Sequence, residues 1–80
     1  MEQKNISADD MILFATIVEQ ESLIRAAEQL GMPKATVSRR LTNLEEMLGQ
    51  RLLIRTTRRQ TLTEFGQEFL DHSRRVAEEV

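Results

Sequence analysis

Three residues, Gly31-Met32-Pro33, constrain this chain more than any others. A glycine where an apolar helical pattern runs out supplies the left-handed residue that closes a helix. A proline two positions later cannot continue that helix, yet its fixed φ suits the start of another. The stretch before the break has Ser22 as a hydroxyl N-cap and apolar residues at Leu23, Ala26, Ala27 and Leu30, which predicts a helix of about two turns. The stretch after it places Val37, Leu41, Leu44 and Leu48 at spacings of 4, 3 and 4. That is one narrow apolar line, and Gly49 ends it. Residues 22 to 49 therefore read as two helices joined by a tight turn.

The other side of the third helix is different in kind. At about 100° per residue, Ala35, Ser38, Arg39 and Thr42 fall opposite the apolar line, so one face is core and the other is small, polar and cationic. Upstream, Ser7-Ala-Asp-Asp has the form of a capping box, in which Ser7 accepts from a free backbone N–H and Asp10 reaches back. Met11, Phe14, Ala15 and Val18, with Leu13 and Ile17 widening the stripe, predict a first helix over Ala8–Gln20. Downstream the period changes. Residues 51 to 57 and 61 to 63 are rich in aliphatic and β-branched types, and predict two short strands around the basic tip Arg58-Arg59-Gln60. Thr63 then caps a last helix whose apolar positions Phe65, Phe69, Val76 and Val80 are spaced 4, 7 and 4. No cap precedes Val80, so the chain reads as cut from a longer protein, with this stripe packing on a partner helix.

Charge and composition narrow the possible functions. Eighty residues hold one small core, too little for a large buried catalytic cleft. With no cysteine and a single histidine, His72, neither a disulfide framework nor a metal or other cofactor is expected. No apolar run approaches the roughly 18 residues of a membrane span, and the N-terminus lacks a secretory pattern, so a cytoplasmic chain without a membrane partner is expected. The net charge of −2 hides a strong segregation. Residues 1 to 32 carry two bases and six acids, residues 33 to 60 seven bases and two acids, residues 61 to 80 two bases and five acids. Screening beyond about 8 Å makes the local surplus, not the total, what a phosphate backbone meets.

This order of elements is mainly α, a winged helix-turn-helix: three helices, a short β-hairpin wing and a further C-terminal helix. The B-form major groove admits one α-helix, and a helix built to enter it needs an apolar back and short side chains in front. The stretch from Ser22 to Leu41, with Leu44-Glu-Glu-Met-Leu-Gly, Arg51-Leu-Leu-Ile-Arg and Leu62-Thr-Glu-Phe-Gly, resembles the N-terminal DNA-binding domain of LysR-type transcriptional regulators from about Met11 to Gly66.

The resemblance implies a dimeric binder of double-stranded DNA, with residues 1–62 as the winged domain, 63–80 as a truncated linker helix that pairs two protomers, and a C-terminal effector domain absent from this chain. It implies that Lys34, Ala35, Thr36, Ser38 and Arg39 face base edges and flanking phosphates, and that Ser22 and Arg25 contact phosphate. Arg58 and Arg59 would reach the backbone or the minor groove. Phe65, Phe69, Val76 and Val80 would form the dimer seam. Arg40, about 100° from Arg39, is expected to be phosphate-directed or plain surface. The chain departs from the family at Leu23, usually Phe, at Ile24, usually small and polar, and at Pro33, usually Ser or Ala. Two other classes fit less well. A helical interaction module would leave the basic hairpin to solubility alone, and an enzyme would need an acid–base or nucleophile set that the sequence does not offer.

Overall fold

The computed structural model describes residues 6–56 and 59–79, the last three by backbone alone. Its elements are α1 (Ala8–Gln20), α2 (Leu23–Leu30), α3 (Lys34–Leu48), β1 (Leu53–Arg55), β2 (Gln60–Leu62) and α4 (Glu64–Glu79). This is the mainly helical winged arrangement expected from the sequence, with β1 and β2 forming an antiparallel hairpin. Among the described residues, no helix is long and apolar enough to cross a membrane.

Helix ends follow the local chemistry with two differences. The Ser7 hydroxyl accepts from the Asp10 N–H at 3.1 Å, but the Asp10 carboxylate does not reach back; it accepts from Arg40 at 2.9 Å. Pro33 is the N-cap of α3 and not its first residue: its ψ of 146° is extended, and its carbonyl accepts from the N–H groups of Thr36 and Val37 at 3.0 and 3.2 Å. Ser22 caps α2 as expected, through the Arg25 N–H at 3.2 Å. Gly31 and Gly49, with φ of 69° and 72°, close α2 and α3.

The core is organised around α1. Leu13, Phe14, Ala15 and Ile17 are all buried, and at about 100° per residue they point most of the way round the helix. A helix so apolar needs neighbours on several sides, and α2, α3 and α4 all pack on it. Ala26 and Ala27 of α2, Val37, Leu41 and Leu44 of α3, and Leu52 and Leu53 at the hairpin join the cluster, and Phe69 and Leu70 of α4 complete it. Burying a side chain such as Phe14 contributes about 1.5–3 kcal/mol.

That demand decides the fate of α4. Phe69, expected on a seam between two copies, lies in its own chain's core with its ring centroid 5.6 Å from that of Phe14. Leu70 is buried beside it, and so is Ser73, whose hydroxyl donates to the Phe69 carbonyl at 2.7 Å. Phe65 and Val76 remain half-buried; Val80 lies outside the described residues. Of the stripe read as packing on a partner helix, Phe69 is turned onto α1.

The hairpin pairs Leu53 with Leu62, Ile54 with Thr61 and Arg55 with Gln60. It is shorter at its base than the strand pattern predicts, because the Leu52 N–H is taken by Glu45. Gln60, expected at the tip, sits inside β2, and its amide donates to the Ile17 carbonyl at 3.1 Å. Below the strands, the Thr63 hydroxyl donates to the Arg51 carbonyl at 2.7 Å and accepts from the Gly66 N–H at 2.8 Å, capping α4. Gly66 lies so close to the Leu52 carbonyl that an added methyl group would collide with backbone.

Helix propensity alone makes Gly66→Ala stabilising by about 1 kcal/mol. The collision predicts the opposite sign, a loss of about 1–3 kcal/mol in urea unfolding with an unchanged m-value. A more stable variant would refute the close approach.

Candidate nucleic-acid interface

The apolar line of α3 is fully used. Val37, Leu41 and Leu44 are buried, which turns the opposite face outward. On it Lys34, Ala35, Arg39 and Thr42 are exposed, while Thr36 and Ser38 are half-exposed. Short side chains at Ala35, Ser38 and Thr42 leave a low surface between two long cations. That relief suits close approach by a flat ligand edge, with Arg39 supplying a planar donor fork.

Two more of the expected contacts sit at the start of α2. Arg25 is exposed; Ser22 is half-buried, and its hydroxyl is already engaged as the cap. At the hairpin, Arg59 is exposed, and its backbone is held by Thr56, whose N–H donates to the Arg59 carbonyl at 2.8 Å. Arg58 lies outside the described residues.

Electrostatics separates the cations into two groups. Among the described residues the ion pairs are Arg40 with Asp10 at 2.9 Å and Arg51 with Glu45 at 3.5 Å. Arg25, Lys34, Arg39 and Arg59 have no acidic partner there, so their charge stays available to a polyanion. Arg40, expected to face phosphate or solvent, is committed instead to α1. A signal for this was present: on a helix Arg40 lies within about 60° of Val37 and about 40° of Leu44, at the border of the core line, whereas Arg39 lies across from it.

Glu45 is the acid of the second ion pair. One of its carboxylate oxygens accepts from the N–H of Leu52 at 2.7 Å and from that of Leu53 at 3.2 Å, with the Arg51 guanidinium at 3.5 Å. The last turns of α3 and the first residues of the hairpin are thus joined by one side chain. Glu45 is scaffold; it fixes where the hairpin stands relative to the outward face of α3. Arg55 is exposed and lines the open cleft between these two elements.

Comparison with known proteins bears on this surface. The model of the family described as bacterial regulatory helix-turn-helix protein, lysR family, matches residues 8–67. An HTH-type transcriptional regulator of Xanthomonas campestris pv. campestris (strain 8004) is 51% identical over 72 residues, covering 90% of this chain and 21% of that protein. The BenM DNA-binding domain, solved in complex with catB site 1 DNA, superposes with a TM-score of 0.88 at 30% identity, over 92% of this chain and 83% of that one. The full-length virulence activator AphB of Vibrio cholerae gives a TM-score of 0.85 at 36% identity, over 92% of this chain and 26% of that one. The chain spans about a fifth of the length of the Xanthomonas relative.

Glu45→Ala strands two backbone N–H groups at the base of the hairpin. Unfolding free energy is expected to fall by about 1–3 kcal/mol, and amide exchange at Leu52 and Leu53 to accelerate while α3 amides keep their protection. Uniform loss of protection would mean that Glu45 supports the whole core and not the hairpin alone.

Proposed function

Because the chain belongs to the lysR family of bacterial regulatory helix-turn-helix proteins, a family of DNA-binding transcriptional regulators and not of enzymes, we propose that it binds double-stranded DNA sequence-specifically as a dimer. In this reading α3 enters the major groove, Arg25 and Ser22 meet phosphates at its edge, and the hairpin rests on the backbone or the minor groove. The observation that carries it is the outward face of α3, where Lys34 and Arg39 stand unpaired over Ala35, Ser38 and Thr42 while the opposite face is buried. The similarity to a domain solved on DNA supports the same reading.

Arg39 is the base reader and Arg59 a backbone contact, and the two separate by experiment. After selection of preferred duplexes from a random pool, Arg39→Ala is expected to lose about 1–3 kcal/mol of discrimination. Arg59→Ala should weaken all duplexes alike and reduce the slope of log affinity against log salt by about one. Affinity that ignores salt would overturn the proposal.

The dimer pairs along α4, but not through Phe69. What α4 leaves outside is an edge of Glu68, His72 and Arg75 beside the half-buried Phe65 and Val76. Glu68 and Arg75 lie two turns apart, about 10 Å along the axis, too far to pair with each other. An antiparallel second copy brings each against the other's counterpart at once, whereas a parallel one sets like charges together. Glu68→Arg or Arg75→Glu alone is therefore expected to raise the dimer dissociation constant roughly tenfold in sedimentation equilibrium. The doubly exchanged chain recovers it. Single variants that dimerise as well as the native chain would place the seam elsewhere.

A further inference from the structure

The contacts of Arg40 tie three parts of the protein together. Its Nη2 donates to Asp10 Oδ1 at 2.9 Å, and its Nη1 approaches the Met32 sulfur at 3.9 Å. Met32 belongs to the turn between α2 and α3, and Asp10 to the first turn of α1. Asp10 is itself held, since its N–H donates to the Ser7 hydroxyl and carbonyl, each at 3.1 Å. The pair is largely sheltered: side-chain exposure is 33% for Arg40 and 18% for Asp10.

Arg40 is also the chain neighbour of Arg39, and the two point about 100° apart on one helix. Fixing the direction of one fixes the roll of the helix and so the direction of the other. Apolar burial is non-directional, and an arginine tip stands far from its helix axis, so even a small roll of α3 displaces it by more than the few tenths of an ångström that a hydrogen bond to a base edge tolerates. The apolar line of α3 holds the helix down without aiming it.

We infer that Asp10 and Arg40 are positioning residues for DNA reading: their ion pair sets the roll of α3 and thereby the aim of Arg39 and Ser38. The inference rests on the duplex-binding reading above. It assigns a reading role to an acid on α1, a helix that supplies none of the contacts proposed above.

Charge makes the test sharp. Asp10→Asn removes a negative charge, so electrostatics alone tightens binding to any polyanion. The measurements are affinities of the whole 80-residue chain for its best selected duplex and for a scrambled duplex across a salt series, for Asp10→Asn, Arg40→Gln and the double variant, at a temperature where circular dichroism shows all of them folded. Positioning predicts that each single variant loses roughly five- to tenfold on the selected duplex, that the double variant loses no more than either, and that Asp10→Asn keeps or gains affinity for the scrambled one. The salt slope of Asp10→Asn stays native. If Arg40→Gln weakens both duplexes and flattens the slope while Asp10→Asn binds as well or better, Arg40 is a phosphate contact and the inference is wrong. Lower melting temperatures with unchanged ratios between the two duplexes would reduce the pair to a structural brace and also overturn it. A native chain with no preference among duplexes defeats the parent reading first, an outcome visible before any variant is made.

Discussion

Phe14 has no exposed surface, and around it three helices find their places. The apolar residues of α1 point in so many directions that no single neighbour covers them; α2 and α3 take part of the surface, and the aromatic and aliphatic residues of α4 take the rest. Each covering helix spends one side on α1, and the opposite side is left for water or a ligand. The polar face of α3 is exposed because its leucines have somewhere to go. A substitution that shrank Phe14 would loosen α3 without touching its outward face.

Polar contacts then refine what burial leaves coarse. Glu45 binds the foot of the hairpin, Gln60 fastens β2 to the carbonyl of Ile17, and Arg40 crosses from α3 to Asp10. Each spans elements that apolar packing brings near but does not orient. All three donate or accept where a backbone group or an opposite charge is sheltered, the setting in which such bonds are hard to replace by water. Among the described residues Arg25, Lys34, Arg39 and Arg59 keep no acidic partner.

The sequence displayed the architecture well, because helix ends and apolar spacing are local properties. Ser7, Ser22, Gly31, Gly49 and Thr63 each act where the pattern puts them, and the outward set on α3 is the expected one. What escaped was set by neighbours distant in the chain. Nothing near Phe69 tells whether its stripe meets α1 or a second molecule, since either satisfies the same periodicity. The partner of Arg40 is thirty positions away. Asp10 has the spacing of a capping box, yet an arginine from another helix competes successfully for its carboxylate, a stronger interaction than a neutral N–H offers. Short strands were harder still: Glu45, on α3, decides where the ladder starts.

The joint at Thr63 and Gly66 has a mechanical side. One hydroxyl holds the chain on both sides of the turn, and the helix backbone rests on the Leu52 carbonyl with no side chain between them. There is no slack there to absorb a bend. A sideways push on the first turn of α4 therefore meets the foot of the hairpin directly, while α1 braces the rest of the helix.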